Sequence, residues 1–311
     1  MLRELYIYRP NGREVLRPTD LQVAEGQRKT LPALQILHLH STKFSWDSPM
    51  YHGLVDLRIQ GDDFADIEIS VLQLANVLAM SPDLISLRLW RVRIAASRGW
   101  VPTPIVLRRL HVLNLIHLFG EGVGPILPLI SQPNPAAQLC VGLSLLDRTV
   151  DEFKAFCSRS CIHTLFCDTL CLDAIFQVSP RLHISHLVLN NPGIHWMYGE
   201  DAPPSSTLTP LSQVSQLTLL WCALSLETLV KFVAHSGIKA LRLESCLLVN
   251  KSDNKATPVP LDMQAALIEA SPGLECVISD TDTLRQLPCR IGFDRCAEMY
   301  MGHAQVSYNQ G

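Results

Sequence analysis

Residues 84–94 read LISLRLWRVRI, and the spacing inside them decides the fold. Leu84, Leu87 and Leu89 form L-x-x-L-x-L, and Ile94 closes the stretch. Successive side chains of a strand point to opposite faces. Leu87 and Leu89 therefore enter a core together, while Arg88 and Trp90 fall on the other face. One short strand with a dry side and a wet side is not stable alone, so the same template should recur along the chain.

It does. Aligned on the second leucine, LQILHLHSTKF supplies Leu34, Leu37, Leu39 and Phe44, and LVDLRIQGDDF supplies Leu54, Leu57, Ile59 and Phe64. LHVLNLIHLFG, CVGLSLLDRTV, IHTLFCDTLCL, ISHLVLNNPGI, VSQLTLLWCAL and IKALRLESCLL follow the same template. The anchors are Leu37, Leu57, Leu87, Leu113, Leu143, Leu165, Leu187, Leu217 and Leu241, a mean step of about 25 residues. Two fainter copies flank them, LRELYIYRP at residues 2–10 and LECVISDTDTL at residues 274–284.

Each strand is expected to run into a helix that covers its other side. ISVLQLANVLAM (69–80) carries apolar residues at three- and four-residue spacing. TVDEFKAFCSRS (149–160) opens with Thr149 three residues before Glu152, the arrangement of a capping box. SLETLVKFVAHSG (225–237) has Ser225 as its cap and Gly237 as its stop. The pairs Ser81-Pro82, Ser179-Pro180 and Ser271-Pro272 mark helix ends, because proline disfavours helical geometry in the residue before it. The acidic residues Asp62, Asp63, Asp66 and Glu68 precede IEISVLQLANVL, where carboxylates favour a helix N-terminus.

Hydrophobic residues make up 48% of the chain, enough for a large core. Charged residues at 18% and a net charge of −3 give no concentrated basic stripe of the kind that holds a phosphate backbone, so nucleic acid is not an expected partner. The opening MLRELYIYRPNGREV lacks an apolar stretch of signal-peptide length, and nowhere do about 18 uncharged apolar residues run together. No membrane association is expected, and the location is read as cytoplasmic or nuclear. The ten cysteines sit singly in apolar segments and are expected to be reduced, as in an intracellular protein.

In LTLLWCAL and LRLESCLL, Cys222 and Cys246 stand where leucine-rich repeats place Asn or Cys. On these residues and this period, the stretch from Leu34 to Leu248 resembles the leucine-rich-repeat region of fungal F-box-like proteins. The resemblance implies an α/β solenoid shaped as a horseshoe, with parallel strands on the concave face and helices on the convex face. It also implies a non-enzymatic protein-binding scaffold that recognises substrates for a cullin ubiquitin ligase, with the ligase adaptor as a second partner if an F-box is supplied elsewhere. An F-box is a helical module, and the first residues here already follow the strand template. The chain is then either a fragment or a relative without that module, and the alternative is a stand-alone interaction protein with no ligase role. The repeat domain is expected over residues 1–284, with residues 285–311 as a cap or tail.

In such an array the residues flanking the anchors line up as columns across the sheet. One position after each anchor come His38, Arg58, Arg88, Asn114, Ser144, Phe166, Val188, Thr218 and Arg242; three after come His40, Gln60, Trp90, Ile116, Leu146, Asp168, Asn190, Leu220 and Glu244. Trp and Arg dominate interface hot spots because each joins large contact area to directional hydrogen bonding. The expected docking residues are His38, His40, Arg58, Arg88, Trp90, Asp168, Arg242 and Glu244. The apolar part of the columns, Ile116, Leu146, Val188 and Leu220, is either a second docking strip or, if covered, packing. The long connection 190–210, with His195, Trp196 and Tyr198, is a further contact candidate.

Catalysis has no visible home: no Walker loop, dinucleotide glycine pattern, G-x-S-x-G or H-E-x-x-H occurs. Cys157, Cys161, His163, Cys167 and Cys171 lack the paired knuckles of structural zinc and are read as small core residues, and His38 with His40 lacks a third ligand nearby. Neither a cofactor nor a metal is expected.

Overall fold

One backbone hydrogen-bond chain ties the first rungs together: Gln35 N–H donates to Arg3 O, Val55 to Gln35, Ile85 to Val55, His111 to Ile85 and Cys140 to His111, each at 2.7 or 2.8 Å. The computed structural model describes residues 2–8, 15–16, 34–61, 67–95, 99–134, 139–143, 149–168, 184–190, 214–220, 222–224, 226–249, 256–260 and 263–279. The chain divides into two compact units, Met1–Ser144 with Arg148–Cys161, and Leu145–Asp147 with Ile162–Gly311.

In the first unit, β1 (Glu4–Tyr8), β2 (Ile36–His40), β3 (Asp56–Gln60), β4 (Ser86–Trp90), β5 (Val112–Leu115) and β6 (Leu139–Leu143) pair in parallel in that order. In the second, β7 (Ile162–Asp168), β8 (His186–Asn190), β9 (Gln216–Leu220), β10 (Ala240–Glu244) and β11 (Glu275–Ser279) do the same. Eleven parallel strands and, among the described residues, the four helices α1 (Val71–Ala79), α2 (Val150–Ser158), α3 (Leu226–Ser236) and α4 (Met263–Ala270) make a mixed α/β fold.

The register is that of the leucine template. Leu5, Leu37, Leu57, Leu87 and Leu113 stand side by side, as do Leu165, Leu187, Leu217, Leu241 and Cys276. From Leu34 to Leu115 every template leucine or isoleucine of the first unit is no more than 2% exposed. Burying one such side chain contributes about 1.5 to 3 kcal/mol. Cys222 and Cys246 are buried after their strands, and their thiols donate to backbone carbonyls: Cys222 to Leu220 and Cys246 to Leu219, both at 3.3 Å.

One rung departs from the expected alignment. Leu113 stands opposite Val141, and Leu143 stands opposite Leu115. The anchor is therefore Val141, two residues before the expected Leu143. A shift of two keeps the in-and-out alternation intact, so hydrophobic pattern alone cannot detect it. Asn114 then has Gly142 beside it, and the expected column members Ser144 and Leu146 lie outside the described residues.

The return segments also differ from expectation. After β2 comes a single 3-10 turn, Pro49–Tyr51, and after β5 another, Leu127–Leu129. The step from Leu37 to Leu57 is too short for a full helix, and Pro125 and Pro128 break the second segment. Helix α1 is capped by Ser70, with Gln73 N–H donating to Ser70 Oγ and Ser70 N–H donating to Gln73 Oε1. Glu68 lies on the short strand before that cap, so no acid occupies the first turn, and Asp62, Asp63 and Asp66 fall outside the described residues. Thr149 takes the N-cap position of α2 without a side-chain capping bond. Gly237 follows α3 at φ 69°, a value that favours glycine. Ser81 and Ser271 follow α1 and α4 as expected, whereas Ser179-Pro180, Ser225 and the segment 285–311 lie outside the described residues. The Ser81 hydroxyl is buried and joins two turns, donating to Tyr51 O at 2.8 Å and accepting from Leu54 N–H at 3.0 Å.

Candidate functional site

The face of the first unit opposite the leucines gathers five of the expected docking residues. His38, Arg58 and Arg88 are neighbours along one row, and His40, Gln60 and Trp90 along the next. All six are part-exposed, because their strand positions alternate with the buried leucines.

A carboxylate organises the first row. Asp56, one position before its anchor and nearly buried, receives Arg58 through Nε at 3.3 Å to both oxygens and Nη2 at 3.0 Å to Oδ2. His38 Nε2 lies 3.3 Å from the same Oδ2. Burial pushes the Asp56 carboxyl up, but His38 and Arg58 outweigh it and hold the group below its ordinary pKa. Beside Asp56, the Ser86 hydroxyl accepts from Arg88 Nε at 3.3 Å.

Aromatic rings cover the flanks. Tyr6 meets His38 edge-on with centroids 4.5 Å apart, and Tyr8 stacks on His40 at the same distance. These tyrosines are 59% and 66% exposed. At the other end, the Arg91 guanidinium lies 4.3 Å from the Trp90 ring centroid, and His117 approaches Trp90 edge-on at 6.4 Å. Burial, and then the Arg91 charge, push the His117 pKa down.

Arg91 and His117 both have left-handed backbone, as does Ser41 at the equivalent place after β2. The recurrence marks a turn common to the rungs. Gly61 stands at that place after β3 without the left-handed backbone, and it is required there by space: a Cβ would lie 2.2 Å from Arg91 O. The chain thus leaves the sheet at a fixed point, which aims Arg91 back over Trp90.

The second unit presents a different surface. Arg242 is exposed and pairs through Nε with Glu244, whose side chain is only 2% exposed, so Glu244 holds Arg242 and is itself largely sequestered. Asp168 ends β7 opposite Asn190. Of the apolar residues expected as either a strip or packing, the described ones are buried: Val188 and Leu220 are 0% exposed, and Ile116 of the first unit is 2% exposed. His186 shares a 3.0 Å hydrogen bond with Thr218, and burial pushes its pKa down. The segment bearing His195, Trp196 and Tyr198 lies outside the described residues.

Of the residues considered for metal, Cys157 and Cys167 are buried, His163 Nε2 lies 2.9 Å from Ser185 Oγ, and Cys171 lies outside the described residues. Among the described residues no group of three His, Cys, Asp or Glu side chains could hold a metal ion, and no helix is long and apolar enough to cross a membrane.

Sequence columns missed Asp56, Ser86, Tyr6, Tyr8, Arg91 and His117. Tyr6 and Tyr8 were within reach, since extending the columns to LRELYIYRP yields both. Asp56 belongs to a third column, one position before the anchors, which also faces outward by the period of two. Arg91 and His117 depend on the turn geometry and have no sequence signal. No protein-family model matches the chain, and no curated protein matches it.

Proposed function

We propose that this chain is a leucine-rich-repeat solenoid of horseshoe form and a non-enzymatic scaffold that docks a protein on the outward face of its first sheet unit. The observation that carries this reading is the assembly of Arg58, Arg88, Arg91, Trp90, Tyr6 and Tyr8 on one row-by-row surface, fixed from below by leucines. Arginine and aromatic residues held at partly exposed positions are the side chains that make interface hot spots. No reaction is required of them: the Asp56 carboxylate is engaged by His38 and Arg58, in keeping with a positioning role.

The more specific proposal follows the repeat pattern and its cysteines. The chain is the substrate-recognition part of an F-box-like ubiquitin-ligase component of the cytoplasm or nucleus, and the docked protein is the substrate. A quantitative pull-down from source-cell lysate tests both levels by comparing wild type with Arg88→Ala/Trp90→Ala. Partners lost only in the variant support docking on this face, and co-purified cullin adaptor supports the ligase role. Partners retained equally by the variant overturn the docking site. Specific partners without ligase subunits overturn the ligase role and leave a stand-alone scaffold.

A further inference from the structure

We infer that the groove between the return segment after β2 and helix α1 binds a neutral, flat aromatic molecule carrying a carbonyl oxygen. The reading is independent of protein docking, because none of the lining residues belongs to the strand face that holds Arg58 and Trp90. The groove has a volume of about 840 Å³, within the range of about 300–1,000 Å³ usual for small-molecule sites. Trp46 lines it with a ring, and Val77 and Met80 of α1 and its C-cap line it with aliphatic surface.

The half-buried Trp46 is fixed from two sides. Its indole N–H donates to Glu68 O at 2.9 Å, and its ring stacks on Tyr51 with centroids 5.2 Å apart. Tyr51 is itself anchored: it is 1% exposed, and its hydroxyl donates to Phe44 O and accepts from Phe44 N–H. A ring prearranged in this way loses little side-chain entropy when a flat ligand packs against it.

Lys43 supplies the donor that orients such a ligand. Its ammonium donates to the same Glu68 O at 3.0 Å and lies 5.4 Å from the Trp46 centroid. An ammonium carries three N–H donors, and that carbonyl takes one. Burial, opposed by the Glu68 charge, pushes the Lys43 pKa down, as expected of a cation that has lost part of its water. A ligand oxygen replaces that water.

Charge selects against ions of either sign. Lys43 and Asp47 are the charged residues lining the groove, with His52 also titratable, and the Ser45 hydroxyl donates to the Asp47 carboxylate. The exposed Glu68 carboxylate acts on Lys43 as well. An anionic ligand meets Asp47 and Glu68 beside Lys43, and a cationic one meets Lys43, so a neutral acceptor fits best.

Ligand-observed NMR titration of the full chain tests this with naphthalenes that differ in one substituent: acetylnaphthalene, ethylnaphthalene, naphthoate and naphthylmethylammonium. Acetylnaphthalene should bind most tightly. Lys43→Met should weaken it about tenfold, to the level of ethylnaphthalene, by removing the donor, and Lys43→Gln should recover part of the loss. Trp46→Ala should weaken both neutral probes, while Arg88→Ala on the sheet face changes neither. Equal wild-type binding of ethylnaphthalene, tighter binding of either ion, a carbonyl preference that survives Lys43→Met, or no binding by any probe each overturns the inference. The wild-type ranking decides the chemistry whatever a variant does to folding, and circular dichroism of each variant separates lost binding from lost fold.

Discussion

Arg58 closes on Asp56 across two positions of one strand, Nη2 lying 3.0 Å from Oδ2, while His38 of the neighbouring strand approaches the same oxygen at 3.3 Å. The carboxylate is thereby both the buried neighbour of His38 and the hydrogen-bonded support that holds Arg58 at the surface.

Its ionisation should be visible in stability. Because the folded pKa of Asp56 is held below its ordinary value, its contribution is complete above the unfolded carboxylate pKa near 3.9 and is lost as pH falls through the lower folded value. Asp56→Asn should cost about 1 to 3 kcal/mol at neutral pH, with the gap from wild type narrowing in acid. Urea unfolding of both proteins at about pH 7 and about pH 3 checks this, and a gap that widens in acid contradicts the sign.

Leu87 lies at 0% exposure between Leu57 and Leu113. Leu87→Ala should cost about 2 to 5 kcal/mol through the cavity it leaves. The neighbouring Arg88→Ala, on the other face, should stay within about 1 kcal/mol of wild type. Chemical denaturation of the pair reads the difference directly, and equal losses would mean that the two faces are misassigned.

Trp90 supports Arg91 and borders His117. Arg88→Ala/Trp90→Ala should reduce partner capture while lowering stability by only about 1 to 2 kcal/mol, part of it the cation–π contact. Circular dichroism melts run beside the pull-down are the check; collapse of the fold would show that Trp90 is core.

Gly61→Ala should be costly for a steric reason. A methyl group there meets the Arg91 carbonyl at 2.2 Å, which is backbone and cannot swing away. The expected loss is about 1 to 3 kcal/mol by overpacking. An unshifted urea midpoint would show that the turn yields.

The strand template was legible because inward residues must be apolar at every second position, a local rule that Leu87 and Leu89 obey without help. Helix α1 was legible from its period, but its cap at Ser70 was not, since Ile69 and Ser70 also continue an apolar pattern from the preceding strand. The slip from Leu143 to Val141 was illegible, because a two-residue shift keeps every side chain on its own face.

Sequence by itself determined the repeating strands, the inner leucines and the two outward columns that contain Arg58, Arg88 and Trp90, because alternation is a property of neighbouring residues. Tertiary structure decided which outward residues stay open. Tyr6 and Tyr8 remain exposed, while Val188, Leu220 and Glu244, at equivalent strand positions, are buried. It also decided that Asp56 would collect His38 and Arg58, and that Arg91 would turn back over Trp90. Solvent exposure and side-chain pairing depend on what other segments pack above a strand, and that information is not local to any stretch of chain.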